Sequence, residues 1–402
     1  MPSKLLEAPA DATAWDAELG GLRLLYGAGR LAELGDVAAG YGRRPLVVTD
    51  PGLRRAGHAE RALDSLAAAG LTPEIFDRVE ENPTTDTVGE GLEVARRHRC
   101  DLLVAVGGGS PMDCAKGINF LLTNGGSMED YRGWAKTTQP MLPALAVPTT
   151  AGTGSDAQSY ALISRVTDHA KLACGDPQAR FAAVLLDPEL LASAPRSVLA
   201  HAGIDALSHA VESYVCTLRN PISKLYAREA FRRLLPALPR LVADPTDAEA
   251  APAMLLGAHL AGAAIEQSML GIAHSCANPL TAHYGVIHGV AVGLMLPSVV
   301  RFNAEAAETG YRELLSAAGE APAGERSAES IAGRESSEVL AWRIERLLRQ
   351  LGLPANLAAA GVEERALPAL AREAAGQWTA SFNPRPVKAE DLEALYREVW
   401  SR

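Results

Sequence analysis

The apolar pattern of this chain changes kind once, near residue 187, and that change constrains its fold more than any other feature. Up to that point short aliphatic runs stop at turn residues: 45–49 before Asp50-Pro51-Gly52, 73–76, 102–106 before three glycines, 144–147 before Pro148, and 183–186 before Asp187-Pro188. Segments 59–69 and 88–97 between them have helical period. Apolar strands separated by helices predict a parallel sheet covered on both faces. Beyond residue 188 no strand signal recurs, and Ala-rich segments of helical period fill 203–218, 223–242, 251–276, 289–303, 338–351 and 364–377. We therefore expect an α/β domain over 1–187 and an all-helical domain over 188–402. The small, polar stretch 317–338 is expected to be a surface loop.

With 402 residues the chain has core enough for two or three domains. Its 48% apolar and 21% charged residues exclude wholesale disorder. Against 48 acidic residues stand 38 basic ones, a net charge of −10, so the chain lacks the electrostatic footprint of a nucleic-acid binder. No apolar run reaches about 18 residues, the length a membrane-spanning helix needs. The N-terminal stretch has no apolar core of the kind a signal peptide carries. Cys100, Cys114, Cys174, Cys216 and Cys276 are scattered, with no CxxC, and read as free thiols of a reducing cytoplasm.

Two loops stand out at the ends of expected strands. Residues 102–106 run into Gly107-Gly108-Gly109-Ser110-Pro111-Met112-Asp113. Ser110 suits an N-cap, Pro111 the first helical position, and Asp113 the far side of a capping box. A glycine turn entering a helix lets the backbone approach a ligand closely and offers N–H groups to a phosphate, although Met112 stands where GxGxxG would have its third glycine. The second loop, Pro148-Thr149-Thr150-Ala151-Gly152-Thr153-Gly154-Ser155, also follows an apolar strand. Ligands of α/β sheets bind at the carboxyl ends of strands, so the pair weighs more than either loop alone. Asp50 closes the first expected strand. There it serves either as a turn cap or as the carboxylate that holds an adenosine ribose and repels a 2′-phosphate, which would favour NAD over NADP.

The helical half carries a different chemistry. Asp205 and His209 are four residues apart and share a helix face. His274, His283 and His288 lie in nearby Gly-punctuated apolar segments. Three imidazoles and a carboxylate suit Fe(II), Zn(II) or another first-row divalent ion and leave room for a substrate oxygen. Spacing alone does not say which of these side chains converge.

Taken together, these segments resemble the iron-containing (group III, metal-dependent) alcohol dehydrogenase family, whose fold is shared with dehydroquinate synthase. The resemblance rests on Asp50-Pro51-Gly52, residues 107–113 with Lys116, 148–155, Asp187-Pro188, 203–212, 274–297 and Asn383-Pro384-Arg385, and covers nearly the whole chain. It implies an N-terminal dinucleotide-binding α/β domain and a C-terminal helical domain. It implies Asp205, His209, His274 and His288 as metal ligands, with Fe(II) the first expectation and Zn(II) the second. Gly107, Gly108, Gly109 and Ser110 would meet the pyrophosphate of NAD(H), with Asp113 in the same turn. Thr149, Thr150 and Thr153 would lie along the cofactor, Lys171 near the nicotinamide ribose, and Asp50 at the adenosine ribose. Many members have a second histidine four residues after the third ligand. Here Asn278 stands there, and an asparagine hydrogen-bonds a hydroxyl but does not shuttle a proton at neutral pH. His283, past Pro279, is the alternative, behind a ribose hydroxyl and a water chain.

The resemblance thus implies reversible, NAD-linked oxidation of an alcohol to its aldehyde or ketone, in a cleft between the domains, and with no cluster of Arg and Lys near the metal residues a small, mostly apolar substrate is expected. It also implies a cytoplasmic homodimer or higher homo-oligomer, with neither nucleic acid nor membrane as partner. The rivals are a sugar-phosphate cyclase on the same fold, which would need basic residues for a phosphate, a non-catalytic homologue, and a metallohydrolase, which leaves both hydroxyl-rich loops unexplained.

Overall fold

The computed structural model describes residues 14–19, 21–167, 170–319 and 335–402. The expected loop at 317–338 therefore lies largely outside the described residues, as does most of the N-terminal stretch. The chain divides into two compact units, Met1–Ala194 and Pro195–Arg402. The break falls past Asp187 because the turn that follows is tied to the first unit. Asp187 accepts from the backbone N–H of Gly29, Leu31 and Glu189, and Ser193 Oγ lies 2.7 Å from His58 Nε2.

The first unit is built on a sheet of β1 (Ala14–Leu19), β2 (Leu22–Gly27), β3 (Pro45–Val48), β4 (Glu74–Phe76), β5 (Leu102–Gly107), β7 (Ala144–Pro148) and β10 (Ala183–Leu186), in the order β1-β2-β10-β7-β5-β3-β4. All pairings are parallel except β1 with β2. A smaller sheet of β6 (Gly133–Trp134), β9 (Lys171–Gly175) and β8 (Tyr160–Ser164) lies beside the main one in sequence. Every residue of β3, β5, β7 and β10 is buried, as strands covered on both faces must be. Their inward side chains Val47, Val104, Leu145 and Leu185 join Leu34 and Val37 of α1 (Leu34–Ala38) and Leu66 of α3 (His58–Ala68) in one core. Between α1 and α3 lies the short α2 (Pro51–Arg55), and α4 (Thr85–His98) and α5 (Gly109–Asn124) complete the unit. The chain leaves β3 towards β4 on one side, then crosses to β5 on the other, so the order of strand addition reverses between β3 and β5.

The second unit is helical throughout its described residues: α6 (Arg196–Val215), α7 (Pro221–Ala243), α8 (Ala250–Glu266), α9 (Ile272–Tyr284), α10 (His288–Phe302), α11 (Ala304–Ala317), α12 (Ser336–Gln350), α13 (Leu367–Ala375) and α14 (Ala389–Ser401), with short 3-10 turns. The single helix expected over 251–276 is two, parted at 267–271, where Gly271 opens α9 in extended backbone. Buried on all sides from Gly203 onward, α6 is the central helix. Glycines let its neighbours close on it. A Cβ at Gly289 of α10 would lie 2.0 Å from His201 O, and one at Gly203 would lie 2.2 Å from Leu238 Cδ1. Among the described residues no single helix is long and apolar enough to cross a membrane. All five cysteines are buried and unpaired.

Candidate active site

In the first unit, three strand ends carry the residues expected to meet a nucleotide. Val48 pairs with Ala105 and Gly107 with Pro148, so the loops after β3, β5 and β7 emerge along one edge. The cap expected of Ser110 and Asp113 is not formed. α5 begins at Gly109, with Gly108 as its extended N-cap (φ −82°, ψ −158°) and no side-chain cap. Ser110 Oγ instead accepts from Asn82 N at 3.3 Å, and Asp113 accepts from Ser155 Oγ at 2.5 Å and Leu162 N at 3.2 Å. Space accounts for the three glycines. A Cβ at Gly107 would lie 2.5 Å from Pro111 Cγ, one at Gly108 3.0 Å from Thr150 Oγ1, and one at Gly109 2.8 Å from Thr153 Oγ1. Bare backbone alone fits beside these threonines, and a helix that starts without a side-chain cap keeps its first N–H groups for another acceptor.

The threonine loop is held in register from below. Buried Thr149 donates its N–H to Gly107 O at 3.0 Å. Lys116, 1% exposed, donates to the carbonyls of Ser155, Gln158 and Tyr160 at 2.7–2.8 Å. Its charge opposes the burial that pushes the Asp113 carboxyl up. Asp50 is the N-cap of α2, its Oδ1 accepting from Gly52 N at 2.8 Å and Leu53 N at 3.0 Å. Lys171 Nζ donates to Asn82 Oδ1 at 2.5 Å. Asn82 therefore links Lys171 to Ser110. It was not singled out from the sequence, where its only signal is an Asn-Pro turn dipeptide.

The second unit brings Asp205, His209, His274 and His288 together. Nε2 of the three imidazoles lies 3.4, 3.5 and 3.8 Å, respectively, from Asp205 Oδ1. The rings of His209 and His274 stack at 4.8 Å, and those of His274 and His288 are 5.5 Å apart. α6 supplies Asp205 and His209, α9 supplies His274 at its first turn, and α10 supplies His288 at its first residue. Asp205 Oδ1 and His274 Nε2 are buried and make no hydrogen bond. A divalent cation fits this donor set, since an acceptor oxygen and a ring nitrogen aimed at one point satisfy nothing else nearby. Burial alone would raise the Asp205 carboxyl, but the three imidazoles hold it well below the usual carboxylate range. Burial alone would likewise lower the His274 ring, but Asp205 and Glu212 raise it to about 9.

Glu212, 3% exposed, had no role assigned from the sequence. Its Oε2 is 2.5 Å from His274 Nδ1, and its Oε1 accepts from Ala273 N at 2.7 Å. The signal was present, because Glu212 is seven residues after Asp205 on a nearly apolar helix and so returns to the same face.

Asn278 follows His274 by four residues on α9 and donates to Gln377 Oε1 at 3.3 Å. His283 is not brought to the cluster. Nine residues beyond His274 it stands about 180° around the helix. It is exposed, with Nε2 2.6 Å from Glu373 Oε2. Trp134 is 49% exposed, and its ring lies 5.3 Å from that of Tyr160 at a tilt of 32°.

Residues 22–188 match the family described as iron-containing alcohol dehydrogenase, and residues 199–400 match the C-terminal family of Fe-containing alcohol dehydrogenases. The chain is 34% identical to alcohol dehydrogenase 4 of Schizosaccharomyces pombe over 93% of its own length and 87% of the relative's. It is 34% identical to 1,3-propanediol dehydrogenase of Klebsiella pneumoniae over 89% and 92%. The crystal structure of a 1,3-propanediol oxidoreductase superposes with a TM-score of 0.88 at 33% identity, covering 94% of this chain and 97% of that one.

Proposed function

Since this chain belongs to the iron-containing alcohol dehydrogenase family and is an NAD-linked alcohol dehydrogenase, we propose that Asp205, His209, His274 and His288 hold one divalent ion, Fe(II) first and Zn(II) second. The observation that carries this is the convergence of three imidazole nitrogens on a single buried carboxylate oxygen. An ion held there supplies Lewis acidity towards an alcohol or carbonyl oxygen.

The protein's own residues do the rest. Glu212 accepts a hydrogen bond from His274 Nδ1–H and so fixes the tautomer that presents Nε2 inward. The uncapped start of α5 gives its N–H groups to the dinucleotide pyrophosphate, and Thr150 and Thr153 line the approach. Asp50 caps α2 through Oδ1, leaving Oδ2 for the adenosine ribose, a choice that favours NAD over NADP. Lys171, oriented by Asn82, serves the nicotinamide ribose. Asn278 holds a substrate or ribose hydroxyl by hydrogen bonding and leaves the proton to the ribose and water. No Arg or Lys is among the residues that form the imidazole cluster, which suits a small, mostly apolar alcohol or aldehyde. We further assign the protein to the cytoplasm, in keeping with its five unpaired thiols.

The test is NADH consumption with short aldehydes after anaerobic removal and return of Fe(II), Zn(II), Mn(II) or Ni(II). Turnover should require metal and vanish in His274→Ala. Metal-independent turnover would overturn the assignment.

A further inference from the structure

Glu212 does more than touch His274, because it also borders a small cavity inside the second unit. The cavity offers about 10 Å³ to the centre of a water molecule. Its polar wall is Glu212, Asn303, Tyr311 and Asn383, and the remainder is Gly271 and apolar side chains. Asn303 and Asn383 pair reciprocally, Nδ2 to Oδ1, at 2.9 and 2.7 Å, and Asn383 Nδ2 also donates to Arg385 O at 2.7 Å. Two acceptors converge on the same space. An atom placed as a Cβ on Gly271 would lie 2.8 Å from Glu212 Oε1 and 3.1 Å from Asn383 Oδ1. Glu212 Oε1 already accepts from Ala273 N and Asn383 Oδ1 from Asn303 Nδ2, so each oxygen has one lone pair left for a donor on the cavity side, and the space is polar enough and large enough for one water.

We infer that this cavity is a binding site for a single structural water, which donates to Glu212 Oε1 and Asn383 Oδ1 and accepts from the Tyr311 hydroxyl. Through that water Asn303, Tyr311 and Asn383 are positioning residues. They fix the Glu212 carboxylate, which fixes the His274 ring. None of them touches the ligand cluster, so their effect reaches it through Glu212. The inference rests on the metal-site reading above.

Two variants and one structure test it. Tyr311→Phe keeps the ring and removes the hydroxyl, and Val299→Ile adds a methylene at the cavity wall to displace the water. Each is titrated with Co(II) against a chelator, with the d–d spectrum and the Tm of the metal-free protein as companions. Both should bind Co(II) about tenfold more weakly, the low end for outer-sphere partners of a metal ligand. Their d–d bands should shift, and their metal-free Tm should stay close to that of the parent. Parent-like affinity and spectra in both variants would overturn the coupling. So would a raised Tm in Val299→Ile with unchanged affinity, which marks a dry void. A parent that binds no Co(II) would sink the metal reading instead. The water is then decided separately by a high-resolution crystal structure, where no density between Glu212 Oε1 and Asn383 Oδ1 refutes it.

Discussion

Asp205 places one carboxylate oxygen within 3.4–3.8 Å of three imidazole nitrogens, and Glu212 holds one of those rings by its other nitrogen. Glu212→Gln keeps the volume but removes the charge that fixes the His274 tautomer. Chelator competition with Zn(II) should show affinity lowered about 10- to 100-fold. At the other site, Asp50 combines two roles that one substitution separates. Asn caps a helix as well as Asp does, so Asp50→Asn should leave the Tm unchanged while reducing the kcat/KM preference for NAD over NADP. A large drop in Tm with the preference intact would mean that Asp50 is a cap only. The sequence made the residues of this cluster legible because histidines are few and their neighbours apolar. Glu212 escaped because a glutamate in a helix reads as a solvated residue until its burial is known. Asn82 escaped because its partners, Ser110 and Lys171, are distant in sequence.

Helix contacts made through glycine govern where these side chains end up. Gly289 lets the start of α10 meet α6 with no side chain between, one residue from His288. Gly289→Ala would drive a methyl against His201 O, at 2.0 Å, so α10 must move. Overpacking of this kind costs about 1–3 kcal/mol. Thermal denaturation should show that loss together with weakened metal binding, because His288 moves with the helix. A gentler case is Asp247, which accepts from Ala250 N and pairs with Arg240 where α8 begins. Backbone donation from Ala250 leads the effects that hold its carboxyl down to about 2. Its folded value is depressed, so the stability it contributes is present above the unfolded value of about 3.9 and is lost as pH falls through 2. The gap in urea midpoint between the parent and Asp247→Ala should be wide at pH 7 and narrower at pH 3. Elements with an apolar run closed by a turn, β3, β5, β7 and β10, could be read from the sequence directly. β1 could not, because its Trp15-Asp16-Ala17-Glu18 stretch alternates on an outer strand and forms no apolar run. Nor could the parting of α8 from α9, where Glu266-Gln267-Ser268 and Gly271 interrupt the apolar stretch with no proline to mark a stop.

Across the whole molecule the two chemistries are segregated. The residues proposed for the nucleotide fall between 50 and 171, in the first unit, and those proposed for the metal between 205 and 288, in the second. Hydrogen exchange should register that division. Metal alone should protect amides of α6, α9 and α10, and NAD alone should protect those around 107–110 and 149–155. The switch in pattern near residue 187 foretold an α/β part followed by a helical part, since a covered parallel sheet and an Ala-rich bundle leave different periodicities. The buried cysteines carry a consequence for durability in air. Burial pushes the thiols of Cys100, Cys174 and Cys276 up to about 12, and those of Cys114 and Cys216 upward as well. At neutral pH almost no thiolate exists to react with peroxide or disulfide. The cysteines are thus poor targets for oxidants. With the proposed Fe(II) bound, activity lost on standing in oxygen should return with fresh Fe(II) and not with a thiol reductant.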